Sequence, residues 1–399
     1  MADFNARRVI EALRSGVASR EAGRCFSSAR PRLLRTLDDA LEEVAETRTS
    51  SAMVISGKYG EGKTHLLNTL IGMAAEKNMV VSLVTLSKET PLDKMHLLYQ
   101  KIVQGTYWPG HAQPGFTHVL RNMTTGHPIT AALYEYVLTT LGTDKLYYLL
   151  KSYFGSGDEE EKFLLLADIE GDFINNSTLK SIFRRIYNEP VAFRTLFLKT
   201  RHVPDYLAFL SHLFLEAGCR GWVILFDETE LVGRMGKNAR LKAYANMARF
   251  LHPERMEAVY SVFALNSSYI PDVVEGKNEF INLENAGLDA ETHDAAAQAL
   301  NAVIAAPQLT PLGQTEILEI MRQILGFHAA AYDWSPALTG EELLAAGEKR
   351  GYLLRTKIRA AIELMDQFYQ YGKAGSIRVN ELGQATFEEQ DFSFAELPE

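Results

Sequence analysis

Residues 57–64, GKYGEGKT, constrain the fold of this chain more than any other segment. They match the pattern G-x-x-x-x-G-K-[S/T] without a mismatch. Glycines allow a backbone to wrap closely around phosphate groups with its N–H groups pointing inward, and a following helix adds its positive N-terminal end. A loop of this kind joins a buried strand to a helix, so the segment predicts an α/β fold. The alternative is a plain glycine turn.

The segments on both sides of this loop have the composition that it requires. Before it, SAMVISG is a short apolar run typical of a buried strand in a parallel sheet. After it, THLLNTLIGMAAEKN predicts a helix and MVVSLVTLS predicts a second strand. We therefore predict a strand-loop-helix-strand unit at the start of an α/β domain with a parallel sheet.

The loop and the first helical turn after it supply the predicted nucleotide contacts. We expect Lys63 to reach the β- and γ-phosphates of a nucleoside triphosphate, either ATP or GTP, and Thr64 to ligate Mg²⁺. The full set of predicted nucleotide-binding residues is Gly57, Gly60, Glu61, Gly62, Lys63, Thr64 and His65.

Another strand, in GWVILFDETE, ends in carboxylates. The apolar run from Val223 to Phe226 leads into Asp227 and Glu228. Because parallel strands end at the same edge of a sheet, we expect these carboxylates beside the glycine-rich loop. There Asp227 would hold Mg²⁺ through water and Glu228 would polarise the attacking water, which implies hydrolysis rather than binding alone. Glu230 is a weaker candidate in the same region, and an ordinary solvated strand end is the alternative.

Asn266 directly follows a third strand-like run, AVYSVFAL. In P-loop ATPases of the AAA+ type, a polar residue at this position, called sensor 1, helps to place the attacking water against the γ-phosphate. We predict this role for Asn266. The alternative is an asparagine that stabilises a turn.

Arginines are the candidates for further contacts to the γ-phosphate. The segment KRGYLLRTKIRAAIELMDQ predicts a basic amphipathic helix, on which Arg355 is the predicted sensor-2 residue, with Arg350 and Arg359 as rivals. A solvated charged face is the alternative. An arginine from a neighbouring subunit would complete the transition-state charge. Its candidates are Arg234, Arg240, Arg249 and Arg255.

The other segments predict four regions. Residues 1–50 predict two helices with nine arginines and no lysine, which we interpret as a solvated, salt-bridged pair; the alternative is a phosphate-binding arm. Residues 51–285 predict the α/β core, with a helical insertion at about 91–215. Residues 286–375 predict a C-terminal helical lid, and residues 376–399 an acidic tail.

Composition limits the class of protein. The 399 residues are 47% hydrophobic and 23% charged, which is normal for a soluble globular protein of two or three domains. No apolar run approaches the roughly 20 residues of a membrane span, and the N-terminus lacks a secretory signal. Two cysteines, Cys25 and Cys219, imply no disulfide framework and predict a cytoplasmic location. The net charge of -9 argues against an overall basic nucleic-acid binder and leaves open a local basic channel formed on oligomerisation.

The order of these features resembles that of AAA+ ATPases, nearest the initiator-like clade. Five segments carry a closer resemblance: RRVIEALRSGVASREA, GKYGEGKTHLL, VTLSKETPLDKMHLLYQKIV, GWVILFDETELV (with AYANMARFL after it) and TEILEIMRQILGFHAAAYDW. In this order they resemble the ATP-binding proteins of BREX-type bacterial phage-defence systems over most of the chain. One departure is that residues 349–351 are Lys-Arg-Gly, where a Pro-Arg pair is expected in the sensor-2 region.

This resemblance implies an AAA+ fold, ATP binding and a place in a multi-protein defence complex. It carries over Gly62, Lys63, Thr64, Asp227 and Glu228 as nucleotide-site residues. We expect an Mg²⁺-dependent ATPase that forms homo-oligomers and couples ATP turnover to the rearrangement of DNA or partner proteins in antiviral defence. The alternative is an ATP-dependent switch or assembly factor with slow, partner-triggered hydrolysis. A small-molecule kinase would need a short lid with clustered arginines, and the long helical region after Asn266 argues against it.

Overall fold

The computed structural model describes residues 6–15, 30–111, 113–377 and 379. In this part of the chain, five strands form one sheet. The strands are β1 (Ser51–Gly57), β2 (Val80–Thr85), β3 (Thr106–Tyr107), β4 (Trp222–Asp227) and β5 (Val259–Asn266). The four strands predicted from the sequence are confirmed. The short strand β3, inside the predicted helical insertion, was not predicted.

The sheet is mostly parallel, in the order β1-β5-β4-β2-β3. Only β3 runs antiparallel to its neighbour, among the strands described. An extended segment lies along the free side of β1, where Ser56 N donates to Pro307 O at 3.0 Å and Leu309 N donates to Ser56 O at 2.7 Å. Strand β1 is therefore flanked on both sides, and the loop that leaves it emerges from the interior of the sheet layer.

Alternation along the strands divides the core into two layers. In β4, Ile224 and Phe226 belong to one hydrophobic cluster, and Val223 and Leu225 belong to the other. Successive side chains on a strand point to opposite faces, so a strand buried on both faces reads as a continuous apolar run. The apolar sequence VILF, which has no polar alternation, therefore indicates a central strand covered by helices on both sides.

Two helices cover one face of the sheet. They are α2 (Pro31–Thr47) and α3 (Lys63–Glu76). Leu37, Leu41 and Val44 of α2 and Leu67 and Leu70 of α3 pack in the same cluster as the odd-numbered residues of β4. The first residue of α3 is Lys63, so this packing also fixes where the glycine-rich loop must end.

The insertion covers the other face and is helical, as predicted. Its helices are α4 (Met95–Gln104), α5 (Thr117–Arg121), α6 (Pro128–Thr140), α7 (Lys145–Gly155), α8 (Glu159–Ala167), α9 (Asn176–Tyr187) and α10 (Lys199–Glu216), with a wide turn at Asp168–Asp172. Their apolar side chains join those of β2, β4 and β5 in the largest cluster, so the insertion is part of the core rather than a separate appendage.

The chain beyond β4 adds helices to this same face. They are α11 (Lys237–Leu251), α12 (Glu279–Glu284) and α13 (Ala290–Ile304), with short helical turns at Thr229–Arg234 and Ile270–Glu275. Helix α13 packs against α11 through Ala296, Ala299 and Leu300, which lie in the largest cluster.

The last three helices form a third cluster, together with the first helix of the chain. They are α14 (Gln314–Tyr332), α15 (Gly340–Glu348) and α16 (Leu354–Tyr371), and α1 spans Ala6–Ser15. Val9 and Ile10 of α1 are fully buried in this cluster. Of the predicted acidic tail, residues 376, 377 and 379 are described and the remainder lies outside the described residues.

The two N-terminal helices do not pair with each other. Arg14 of α1 pairs with Asp366 of α16 at 2.7 Å, whereas Glu42 of α2 pairs with Lys77 at 2.8 Å and also with Arg220. Their apolar faces lie in different clusters. The interpretation of residues 1–50 as a mutual salt-bridged pair is therefore wrong, because each helix buries its apolar face against a different partner.

None of the described helices combines the length and the apolar character that crossing a bilayer requires.

A buried ion pair links helices within the insertion. Lys145 Nζ donates to Asp168 Oδ2 at 2.6 Å, and both side chains are completely buried. Tyr206 of α10 donates its hydroxyl to Asp168 Oδ1 at 2.7 Å, and Lys145 also donates to Ile174 O at 2.8 Å. Because these polar atoms find partners, the two charges are tolerated in an apolar setting.

Removing one member of this pair is expected to destabilise the protein strongly. Asp168→Leu would leave the Lys145 ammonium buried without its counter-charge, at a cost of about 3–5 kcal/mol. The double variant Lys145→Met/Asp168→Leu removes both charges and is expected to recover most of that loss. Thermal unfolding followed by circular dichroism measures both effects.

The control is the exposed pair between Lys162 and Glu159, whose atoms are 2.9 Å apart. Lys162→Met is expected to leave the unfolding temperature almost unchanged, because a solvent-exposed ion pair contributes little to stability. Equal unfolding temperatures for Asp168→Leu and the wild type would show that the buried pair does not stabilise the insertion.

Candidate functional site

The predicted site residues meet at one edge of the sheet because β1, β5 and β4 are parallel. Gly57, the last residue of β1, lies opposite Asn266, the last residue of β5. Asp227 ends β4, which pairs with β5 on its other side. The glycine-rich loop and the carboxylates of DETE are therefore neighbours, although more than 150 residues separate them in the chain.

The loop has the predicted strand-loop-helix context. It leaves β1 at Gly57 and enters α3 at Lys63. Gly60 and Gly62 have φ angles of 79° and 90°, in the left-handed region that side chains disfavour. Glycine at these two positions therefore lets the loop adopt a backbone conformation that would strain a residue with a side chain.

Glu61 has a structural role within the loop. Its carboxylate Oε2 accepts a hydrogen bond from Lys58 N at 2.7 Å, and Glu61 N donates to Lys58 O at 3.3 Å. The side chain closes the loop upon itself. This contact gives Glu61 a role that the sequence pattern, in which the position is variable, did not predict.

Lys63 is buried inside the loop, with 8% of its surface exposed. Its ammonium donates to Gly57 O at 2.9 Å and to Lys58 O at 3.3 Å. Thr64 and His65 follow in the first turn of α3 and are both half-buried. The cation therefore lies at the concave side of the loop, where phosphate oxygens would be held by backbone N–H groups and by the helix N-terminus.

Asp227 and Glu228 occupy a sharp turn at the end of β4. Asp227 is 5% exposed and its Oδ1 accepts a hydrogen bond from Glu228 N at 2.9 Å. Glu228 has a φ of 58°, which is uncommon for a residue with a side chain. Strained backbone of this kind persists where the surroundings hold it, and it concentrates at functional sites.

Three positively charged side chains influence the pKa of Glu228. Burial and the neighbouring Asp227 charge raise the pKa of Glu228, whereas Lys63, Arg355 and Arg234 act in the opposite direction. The carboxylate thus lies in a partly desolvated position among positive groups from the loop, the C-terminal helices and its own turn.

Glu230 is the more deeply buried carboxylate, at 7% exposure. Burial raises the pKa of Glu230 to about 7, with Lys63 opposing and Glu228 adding to the shift. Its Oε2 is buried and has no hydrogen-bond partner within the described residues. Both glutamates of DETE therefore stand near Lys63, and the candidate base is not distinguished by position alone.

Asn266 lies at the strand end predicted for it and also makes a turn contact. It ends the strand between the loop-bearing β1 and the acid-bearing β4. Its Oδ1 also accepts a hydrogen bond from Ser268 N at 3.1 Å, which is the contact of a turn-forming asparagine. This bond holds the amide group at the sheet edge beside Gly57.

Arg355 is the arginine of its helix that contacts the loop. Its Nη1 donates to the hydroxyl of Tyr59 at 3.0 Å, and its guanidinium carbon lies 5.4 Å from the centre of the Tyr59 ring. For Arg350 and Arg359, no side-chain contact to the loop is seen in the described part of the chain. The geometry therefore favours Arg355 over its two rivals.

The four arginine-finger candidates differ in availability. Arg240 is buried and bonded to Glu279 at 2.7 Å, and Arg255 is bonded to Asp205 at 2.9 Å. The positive charge of Arg234 lowers the pKa of Glu228 in the same chain. Arg249 is exposed on α11. Arg240 and Arg255 therefore have partners within this chain, whereas Arg249 is exposed.

Arg30 was not predicted as a site residue. Its Nη2 donates to Glu61 O at 2.7 Å and to Thr310 O at 3.1 Å, and Nη1 lies 3.6 Å from the position that a side-chain carbon on Gly62 would occupy. The sequence signal that could have predicted this contact was the surplus of arginine over lysine in residues 1–50, for which a phosphate-binding arm was the alternative interpretation. Arg30 joins the loop to the segment that leads into the C-terminal helices.

A magnesium ion in this site would need few protein ligands. Among the described residues, no group of three or more His, Cys, Asp or Glu side chains is arranged to hold a metal ion. Mg²⁺ at nucleotide sites is typically held by one or two side chains, phosphate oxygens and waters. Thr64 and Asp227 supply a hydroxyl and a carboxylate, which are oxygen donors of the required kind.

Gly62→Ala is expected to weaken ATP binding by about tenfold or more, because alanine at positive φ strains the loop. Gly218, at the end of α10, is a matched control: its φ is 89°, against 90° for Gly62, and no atom lies within 4 Å of the added carbon. Gly218→Ala should lose similar stability and keep its ATP affinity. Calorimetric titration and thermal unfolding separate the two effects, and equal affinities for both variants would contradict the site.

One protein family matches most of this chain. A family model described as "BREX system ATP-binding protein BrxC/D" matches residues 3–123 and 194–379, well over half of the chain. The unmatched residues 124–193 lie within the helical insertion and contain none of the site residues. Neither the curated proteins nor the solved structures contain a match.

The matched ranges include the glycine-rich loop, the carboxylates after β4, Asn266 and Arg355. The chain therefore belongs to the family of BREX system ATP-binding proteins BrxC/D.

Proposed function

We propose that the protein binds Mg²⁺-ATP at the carboxyl edge of its sheet and hydrolyses it, as an AAA+ ATPase with a C-terminal helical lid. One observation carries this proposal. The parallel strands bring Lys63 of the loop to the same edge as Asp227 and Glu228, although the sequence separates them widely. An anion cradle beside two carboxylates is the arrangement that phosphoryl transfer to water requires.

Lys63 binds the β- and γ-phosphates in this proposal, and the N–H groups of residues 60–65 surround them. Thr64 and Asp227 would hold Mg²⁺, which when bound would supply positive charge to the phosphate oxygens. Glu61 contributes by closing the loop through its bond to Lys58 N, which lies at 2.7 Å, rather than by touching the nucleotide.

Glu228 polarises the attacking water. Burial and Asp227 raise its pKa, which moves the carboxylate toward the range in which a general base is most effective at neutral pH. Asn266, held at the adjacent strand end by its bond to Ser268 N, orients the same water. Arg355 stabilises charge that develops on the γ-phosphate, acting from the C-terminal helices.

Substitutions at the two ends of the site separate binding from hydrolysis. Lys63→Ala is expected to weaken ATP binding, and Glu228→Gln is expected to preserve binding while lowering kcat by about 100-fold or more, because it removes the base without changing shape. Phosphate release and a fluorescent-nucleotide binding assay measure the two quantities.

Glu230→Gln is the comparison variant for the catalytic base. Glu228 as the base predicts a much smaller loss of kcat for Glu230→Gln than for Glu228→Gln. The reverse order would transfer the role to Glu230, and undiminished hydrolysis in both Lys63→Ala and Glu228→Gln would sink the site assignment.

We further propose that hydrolysis occurs between subunits of a homo-oligomer in which Arg249 reaches the ATP of a neighbour. The resulting motion of the C-terminal helices would rearrange DNA or other proteins of the phage-defence system. A direct DNA contact through phosphates predicts an affinity that falls steeply as salt increases. The alternative function, a switch with slow partner-triggered turnover, is favoured by the internal pairing of Arg240 and Arg255, which leaves few arginines available to complete the site.

Mixing experiments test the neighbour's arginine. Arg249→Ala is expected to lower kcat by about 10³-fold, and mixing it with Glu228→Gln subunits should restore activity, because the latter supply an intact Arg249 to an intact Glu228. Light scattering with and without ATP reports assembly.

Arg234→Ala is the comparison variant, since its guanidinium acts within its own chain. Partial activity in the Arg249→Ala mixture and none in the Arg234→Ala mixture is the expected pattern. A protein that stays monomeric with ATP, with and without DNA, would overturn the oligomeric part of the proposal.

A further inference from the structure

Tyr59 occupies a position of the glycine-rich loop that phosphate binding leaves unspecified. The pattern G-x-x-x-x-G-K-[S/T] allows any residue there, since backbone N–H groups make the phosphate contacts. Tyr59 is half-buried. Its side chain is therefore free to take a second role, and the residues that it contacts show what this role is.

The tyrosine makes two separate contacts with one arginine. Arg355 Nη1 donates to the Tyr59 hydroxyl at 3.0 Å, and the guanidinium carbon lies 5.4 Å from the ring centre. The hydrogen bond restricts the orientation of the guanidinium group, and the cation–π contact restricts its distance from the tyrosine ring. Together they restrict a side chain that has several rotatable bonds and would otherwise sample many rotamers.

A side chain close to Arg355 packs on the same loop. A side-chain carbon placed on Gly60 would lie 3.2 Å from Leu353 Cβ, so the residue that precedes α16 lies directly against the loop. Thr356, which follows Arg355 in helix α16, is only 4% exposed. The packing of Leu353 on the loop and the two contacts with Tyr59 therefore restrict the position of Arg355.

The restricted arginine also lies near the reacting end of the site. Arg355 is one of the three cations that act on Glu228, together with Lys63 and Arg234. An arginine held on the loop and within electrostatic reach of Glu228 is placed to contact the terminal phosphate of a triphosphate on that loop.

We propose that Tyr59 is a positioning residue that holds Arg355 toward the γ-phosphate, so that the loop itself orients the arginine of the C-terminal helices. This inference rests on the proposed ATP site and assigns to it a coupling between loop and helices. It predicts that Tyr59 matters for ATP, which has a γ-phosphate, and not for ADP, which lacks one.

The test compares ATP and ADP affinities in Tyr59 and Arg355 variants of the full chain. Tyr59→Leu removes the ring and hydroxyl while keeping bulk, and it is expected to weaken ATP binding roughly tenfold with little change for ADP. Arg355→Ala should show the same selective loss. Tyr59→Phe keeps the cation–π contact and should stay within about threefold of the wild type.

A double-mutant cycle distinguishes positioning from an independent contribution. If Tyr59 acts through Arg355, the Tyr59→Leu/Arg355→Ala variant is no worse than Arg355→Ala alone. Additive losses, or equal losses for ATP and ADP in Tyr59→Leu, would overturn the proposal, because they would mean that the tyrosine shapes the loop itself. Tyr371→Ala, which removes a 70% exposed aromatic side chain at the far end of the same helix, is the control and should leave both affinities unchanged.

Nucleotide affinities are measured without hydrolysis, so the two proposals can fail separately. A wild type that prefers ATP but does not hydrolyse it would contradict the proposed ATPase activity. The double-mutant cycle of Tyr59 and Arg355 would still test the positioning role, because it measures only affinities. A hydrolysing wild type with a Tyr59→Leu variant of unchanged ATP affinity and kcat would contradict the positioning role alone.

Discussion

The parallel pairing of β1 with β5 and of β5 with β4 is the constraint on which the site depends. In register, Gly57 lies opposite Asn266, and β4 delivers Asp227 to the same edge. A shift of register by one residue would turn every side chain of the shifted strand to the opposite face of the sheet. The packing of the hydrophobic clusters on both faces would then be lost. The apolar strand sequences therefore fix the position of polar residues that contribute nothing to the core.

Packing of the helices then decides how the chain surrounds that edge. Helix α1 joins the C-terminal helices, while α2 covers the sheet, and Arg30, the residue before α2, contacts the loop. From the other side, α16 brings Arg355 to Tyr59. Both arginines contact the same eight-residue loop from distant parts of the sequence. The loop is thus the place where the sheet, the N-terminal segment and the C-terminal helices meet.

Local patterns were sufficient to predict most secondary structure and the candidate binding loop. The run SAMVISG before GKYGEGKT and the run VILF before DETE have periodicity and composition that few other structures tolerate. The short strand β3 was missed because two residues carry no periodicity. The pairing of the N-terminal helices was wrong because charge patterns do not reveal which apolar surface a helix will cover; Arg14 found Asp366, and Glu42 found Lys77.

The sequence by itself determined the α/β class, the strand-loop-helix unit and the identity of Lys63, Thr64, Asp227 and Glu228 as candidates, because each follows from a short stretch of chain. Only the tertiary structure decided among the arginines. Arg240 and Arg255 pair with Glu279 and Asp205, Arg249 is exposed, and both Arg355 and the unpredicted Arg30 contact the loop. The reason is physical: an arginine's role depends on the partner that its long side chain reaches in space, and that partner is set by packing rather than by neighbouring residues.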